Sequence, residues 1–178
     1  LFLKRIQTFL AAEGCITGGW EEAAHGNVID RDRSYLCGWR DMDISAALAG
    51  EGYRMVVCPG QAYYLDMAHS PDWDEPGASW AGSSTPEATY AFDPVAGWSA
   101  AQKANLKGVQ ACIWSEPMKD PAVFDRLVFP RLSAVAETGW TPAANKDYAS
   151  FLQRLPEQLR RYRMLGMGYA PTPFEVMA

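Results

Sequence analysis

Apolar residues recur at helical spacing over the first twelve positions, with Phe2, Ile6, Phe9 and Leu10 on one face, and predict a helix that Gly14 ends. Short β-prone runs follow at Cys15–Trp20, Ser34–Trp39 and Arg54–Cys58, the last closed by Pro59-Gly60, and a fourth is expected at Val109–Trp114. Asp43–Ala49 reads as a short helix capped by Asp43 or Ser45 and stopped by Gly50 and Gly52, and Ala100–Leu106 reads as another. Val123, Leu127, Leu132 and Val135 mark one amphipathic helix from Pro121 to Trp140. Phe151, Leu155, Leu159 and Tyr162 mark a second from Asp147 to Leu165, with Pro156 expected to kink or restart it. A tail from Tyr169 to Phe174 with two prolines closes the pattern.

Strands separated by helices or long excursions predict a parallel α/β sheet. The polar and aromatic residues of note gather at the carboxyl ends of the strand units: Trp20, Trp39, Tyr64 with Asp66, and Trp114 with Glu116. A (β/α)8 barrel places its active site at that end of its strands. Such a barrel takes about 250 residues, so 178 residues with about four strands predict an incomplete TIM barrel, half of one. The sequence starts at Leu1 rather than Met, inside an uncapped helix, so the other half is expected to precede Leu1, and the lack of a leader carries no information. The aromatic-rich stretch 61–97 is expected to be irregular, and loops beyond about 15 residues are commonly functional.

Composition narrows the chemistry. With 48% hydrophobic and 21% charged residues the chain can bury a core. Sixteen Lys+Arg stand against 21 Asp+Glu, a net charge of −5, and no basic patch forms, which disfavours nucleic acid as a partner. No apolar run approaches the roughly 20 residues of a membrane span. Cys15, Cys37, Cys58 and Cys112 form no CxxC pair, and only His25 and His69 accompany them, so no zinc site is expected. Each cysteine reads as a small buried hydrophobe, with a disulfide as the alternative. No glycine-rich loop leads into a helix with the lysine a phosphate needs, and no cofactor is expected.

In a strand alternate residues share a face, so Cys112, Trp114 and Glu116 are expected to point one way, and Tyr64 and Asp66 likewise. An aromatic plate beside a carboxylate suits a sugar, whose C–H face packs on a π surface while its hydroxyls donate to carboxylates. Structural roles compete: Trp73, Trp98 and Trp140 read as packing, and Glu21, Glu22, Glu137 and Arg131 as buried or rim ion pairs.

Seven motifs in order, Gly-Gly-Trp20-Glu-Glu, Cys-Gly-Trp39, Tyr64-Leu-Asp66, Ala-Ser-Trp80-Ala-Gly, Tyr90-Ala-Phe-Asp93-Pro94, Gly108-Val-Gln-Ala-Cys-Ile-Trp114-Ser-Glu116 and Phe129-Pro130-Arg131-Leu-Ser-Ala-Val-Ala-Glu137-Thr-Gly-Trp140, resemble the second half of the catalytic barrel of glycoside hydrolase family 20, the β-N-acetylhexosaminidases. The resemblance runs over nearly the whole chain, from the helix before the fifth strand to the eighth helix. It implies substrate-assisted retaining hydrolysis, in which the 2-acetamido oxygen attacks the anomeric carbon, an Asp orients the acetamido nitrogen and the adjacent Glu serves as general acid and then base. By the same resemblance Tyr64 donates to the acetamido oxygen, and Trp20, Trp39 and Trp114 wall the acetamido pocket. Asp66 and Glu116 grip hydroxyls at the non-reducing end, enforcing exo-cleavage, and Trp80 stacks under the next sugar.

The sequence departs from the family at two places. The Asp-Glu pair, found after a His-x-Gly-Gly run at the fourth strand, has no counterpart, since the lone Asp-Glu dipeptide, Asp74-Glu75, precedes Pro76 in the long loop. The first-strand Arg that binds hydroxyls is missing too. Residues 1–178 are therefore expected to be the C-terminal half of a glycosidase barrel, inactive alone, with the N-terminal half or a second copy as mate and an N-acetylhexosamine-bearing oligosaccharide or glycoconjugate as ligand. Two readings stay open: this enzyme half, or a non-catalytic carbohydrate-binding or structural module of the same descent. The natural glycan, chitin oligosaccharide or other, and the compartment stay open as well.

Overall fold

A computed structural model describes residues 2–172. The chain forms two compact units, Leu1–Pro59 with Asp93–Gln110, and Gly60–Phe92 with Ala111–Ala178.

The first unit is a four-stranded parallel sheet: β1 (Thr17–Trp20), β2 (Ser34–Gly38), β3 (Arg54–Val57) and β4 (Leu106–Val109), side by side in chain order. Trp20 pairs in register with Cys37, Gly38 with Val57 and Val57 with Val109. Sequential order with crossovers is the pattern of a barrel segment; a doubly wound sheet would permute it. Around the sheet stand α1 (Phe2–Ala12), a 3-10 segment (Glu21–Asn27), α2 (Met42–Gly50) and α5 (Ala100–Ala104). Leu36, Met55, Val57, Tyr53, Ala49, Ile29 and Trp98 form the buried core.

Three expectations change here. The cap of α2 is Asp41, whose carboxylate accepts from the Asp43 amide at 2.8 Å, not Asp43 or Ser45. Ser45 is instead buried against Gly38, where a Cβ would come within 2.0 Å of its Oγ, so β2 and α2 approach only because residue 38 is glycine. In α1 the residue that docks is polar: Gln7 is buried, its side chain bonded to both the carbonyl and the amide of Asp30, while Phe2, Ile6 and Phe9 of the predicted apolar face stay exposed. Leu106 opens β4 rather than ending α5, so the fourth strand lies three residues earlier than Val109–Trp114.

The second unit holds α3 (Gly60–Tyr63), α4 (Pro86–Ala91), α6 (Pro121–Val128), α7 (Arg131–Trp140) and α8 (Tyr148–Met164). Two short helices thus interrupt the stretch expected to be irregular. The helix foreseen over 121–140 is two helices, broken at Phe129-Pro130 because proline offers no amide to the ladder and clashes with the preceding turn. Conversely α8 runs unbroken through Pro156. Its Phe151, Leu155, Leu159 and Tyr162 are the buried stripe that the spacing predicted, and Asp147 caps it. Cys58 and Cys112 are buried, Cys37 is half-buried and Cys15 is exposed, contrary to the uniform burial expected. The end of the expected tail, residues 173–174, lies outside the described residues.

Candidate active site

Five of the seven predicted site residues, Tyr64, Asp66, Trp80, Trp114 and Glu116, belong to the second unit, and its backbone draws them together. Tyr64 and Cys112 form a parallel bridge, in which the Leu65 amide donates to the Cys112 carbonyl at 2.8 Å and the Cys112 amide to the Tyr63 carbonyl at 2.9 Å. Trp114 and Glu116 lie beyond that bridge on irregular chain, with a turn closed by Met118 N–H to Ser115 at 3.0 Å, so the strand alternation expected of Cys112, Trp114 and Glu116 does not apply. The Tyr64 ring meets Trp80 edge-on, centroids 5.7 Å apart, and Trp114 at 6.0 Å, tilted by 52°. Gly60 lets Trp80 settle, since a Cβ there would stand 3.1 Å from the indole.

Asp66 is 2% exposed, and its Oδ1 is buried with no hydrogen-bond partner among the described residues. Burial pushes its carboxyl above the usual aspartate range; hydrogen bonds from its own amide and that of Trp114 pull it down, the Glu116 charge pushes it up and the Arg131 charge pulls it down. An acceptor that is buried, unsatisfied and close to a second acid is costly in a plain structural role. It suits a ligand that brings hydroxyl donors.

The loop carrying Trp80 is tied at its base. The Ala78 amide donates to Asp66, the Ala68 amide to Ala78, both at 2.8 Å, and the Ser84 amide to Ala68 at 3.0 Å. Glu75 accepts two bonds from Arg126, at 3.2 and 2.6 Å. That contact occupies the acid of the Asp74-Glu75 dipeptide. Trp73, read from sequence as packing, is 96% exposed at the tip of this loop, between the bonded base and the Glu75 tether. Trp140 is also exposed, at 90%, because the buried stripe of α7 runs through Arg131, Ala134 and Val135 and turns away from position 140. Trp98 is buried as expected.

Trp20 and Trp39 belong to the first unit, at the carboxyl ends of the adjacent strands β1 and β2. Two acids hold Trp39: its amide donates to Glu21 Oε2 at 3.2 Å and its indole N–H to Glu22 Oε1 at 3.1 Å. Arg40 bonds the same Glu22 oxygen at 2.8 Å and lies 5.2 Å above the indole. Of the four residues read as ion-pair formers, Glu22 pairs with Arg40 and Glu137 with Arg154, but Glu21 accepts from a backbone amide and Arg131 donates to carbonyls. Among the described residues no group of three or more His, Cys, Asp or Glu is placed to hold a metal ion, and no helix is long and apolar enough to cross a membrane.

The family model of the glycosyl hydrolase family 20 catalytic domain matches residues 1–143. The chain belongs to that family. A relative, the β-hexosaminidase of Porphyromonas gingivalis, is 32% identical over 170 residues, which cover 94% of this chain and 22% of the relative. The solved family 20 exo-β-N-acetylglucosaminidase of Vibrio harveyi, in complex with N-acetylglucosamine, superposes with a TM-score of 0.89 at 32% identity over 96% of this chain and 27% of that one. The family 20 β-N-acetylhexosaminidase of Streptomyces coelicolor A3(2) gives 0.84 at 31%, over 97% of this chain and 36% of that one. The chain spans about a fifth of the length of the curated relatives it matches. Its four parallel strands with their helices are part of the family's TIM barrel.

Within this family 20 chain the sequence named candidate residues but not the contacts that hold them. Glu21 and Glu22 bond Trp39, Gly60 makes room for Trp80 and Arg131 bonds the carbonyls on either side of Asp66. One signal was legible: Arg131 falls four residues after Leu127 and four before Val135, on a stripe that buries its members.

Proposed function

We propose that this chain contributes the acetamido pocket and the hydroxyl-binding carboxylates of an exo-acting β-N-acetylhexosaminidase that works by substrate-assisted retention, and that residues 1–178 form the C-terminal half of its barrel. Tyr64 donates to the acetamido oxygen and sets it against the anomeric carbon, making the attack intramolecular. Trp20, Trp39 and Trp114 are the residues that the family resemblance assigns to the acetamido methyl. Asp66 and Glu116 accept from sugar hydroxyls at the non-reducing end, which limits cleavage to terminal residues. Trp80 offers its face to the sugar on the leaving side. The Asp-Glu pair comes from outside these 178 residues, from an N-terminal half of the barrel or a second copy of the chain, and the substrate is an oligosaccharide or glycoconjugate ending in N-acetylhexosamine.

The observation that carries this reading is the corner in which Tyr64, flanked by Trp80 and Trp114, stands two residues from a buried carboxylate with an unsatisfied oxygen beside Glu116. Membership of the family supports it. The test is calorimetric titration of the intact protein with N-acetylglucosamine and with glucose, followed by assay for release of a chromogenic aglycone in the presence of a polypeptide bearing the Asp-Glu pair. Selective binding of the N-acetylated sugar and restored hydrolysis are expected. Equal response to glucose overturns the pocket assignment. Binding without hydrolysis in any combination selects the second reading, a carbohydrate-binding module, which the missing acid pair favours.

A further inference from the structure

Arg131 is a buried charge that the proposed chemistry does not use. It opens α7 with no exposed surface, and among the described residues it makes no ion pair. Its hydrogen bonds go to backbone carbonyls: Nε to Leu127 at 3.0 Å, Nη1 to Ser84 at 3.0 Å, and Nη2 to Leu127 at 2.5 Å and to both Leu65 and Met67 at 2.8 Å. Burying a guanidinium without a counter-ion is expensive, so its place calls for a reason beyond packing.

The reason lies in two of the three acceptors of Nη2. Leu65 and Met67 flank Asp66 on a turn that the Met67 amide closes by donating to the Tyr64 carbonyl at 3.3 Å. The intervening carbonyl, that of Asp66, accepts from the Ala78 amide at 2.8 Å. Three consecutive peptide units around Asp66 are therefore held from two sides. On the Arg131 side Nη2 reaches both Leu65 and Met67, while Nε and Nη1 anchor the planar group on Leu127 and Ser84, an arrangement that an ammonium cannot reproduce.

Charge gives the second argument. Asp66 is buried beside another acid, Glu116, and the positive charge that acts on it is Arg131, which touches its neighbours and not the carboxylate itself. A direct salt bridge would occupy the oxygens. A cation held one peptide away compensates the charge and leaves Oδ1 open to a ligand.

We infer that Arg131 is the positioning residue of the hydroxyl-binding carboxylate: its guanidinium fixes the peptide units on both sides of Asp66 and supplies the counter-charge that lets Asp66 and Glu116 stand together without consuming either as a partner. This rests on the reading of Asp66 as a sugar-binding group.

The test follows the Asp66 carboxyl carbon and the Arg131 Nε–H signal by NMR in the intact labelled protein from acid to neutral pH. In the wild type the Arg131 signal should shift with the Asp66 midpoint. In Arg131→Met that midpoint should rise by about one pH unit or more. In Arg131→Lys, where charge is kept and the fork lost, it should rise less while the Asp66 and Met67 amide signals move. An Arg131 signal flat through the Asp66 titration, or an unchanged midpoint in folded Arg131→Met, overturns the inference. The wild-type arm decides even if Arg131→Met does not fold. A parallel titration with N-acetylglucosamine separates the two ideas: if Asp66→Asn binds the sugar as the wild type does, the sugar-binding reading fails while the coupling of Arg131 to Asp66 is judged on the NMR result.

Discussion

The ring of Tyr64 lies 6.0 Å from that of Trp114, a contact made possible by the bridge that joins Tyr64 to Cys112 two residues earlier. The pairing fixes the ring independently of its hydroxyl. Tyr64→Phe keeps the ring and removes only the hydroxyl, and should weaken binding of N-acetylglucosamine roughly tenfold, the cost of one hydrogen bond. Undiminished affinity by calorimetry would remove Tyr64 from the acetamido contact.

Asp66 is predicted to trade stability for function. Burial raises its carboxyl above the ordinary value of 3.8, so its favourable contribution to folding is present below that value and is lost as pH rises through the folded midpoint. Asp66→Asn should melt higher than the wild type at neutral pH, by on the order of 1 kcal/mol, and the difference should close on acidification. The same variant should lose sugar affinity.

His69 acts with the opposite sign. Its Nε2 donates to the Arg126 carbonyl at 2.9 Å, and burial, reinforced by the Arg131 charge, lowers its pKa to about 4 from 6.5. The unfolded chain binds the extra proton between those values, so stability is full above 6.5 and falls as pH drops towards 4, by up to about 3 kcal/mol. Denaturation of His69→Gln across that window should show a shallower pH dependence than the wild type, because the amide keeps a donor for Arg126 and does not titrate.

Two tryptophans that sequence alone assigned to packing should respond in opposite ways. Trp98→Ala empties the core beside Leu36, Met55 and Val57 and should cost about 3–5 kcal/mol in chemical denaturation. Trp73→Ala, on an indole that is almost wholly exposed, should stay within about 0.5 kcal/mol.

Gly77 has a φ of +125°, and a Cβ there would fall 2.6 Å from the Ala68 nitrogen. Gly77→Ala should break the pairing of Ala68 with Ala78, costing about 1–3 kcal/mol, and expose the 66–84 loop to proteolysis while residues 2–59 keep their protection. A cleavage pattern like that of the wild type would show that the loop does not depend on this contact.

The strand and helix pattern was legible because most of these elements bury one repeating stripe. Phe151, Leu155, Leu159 and Tyr162 announce α8, and Arg54 to Val57 announces β3. Where the stripe gave out, so did the reading. Val109–Trp114 looks as β-prone as any run in the chain, yet pairing with β3 selects 106–109 and leaves Trp114 beyond a single bridge.

What the sequence determined by itself is the family and the set of candidate site residues, since motif spacing is local and needs no coordinates. What only the tertiary structure decided is how those residues are held: Arg131 through the carbonyls around Asp66, Glu21 and Glu22 on Trp39, Ser45 against Gly38. These contacts join positions up to 66 residues apart, and those of Arg131 and Glu21 end on carbonyls or amides that nearly every residue carries, so no side-chain pattern along the chain records them.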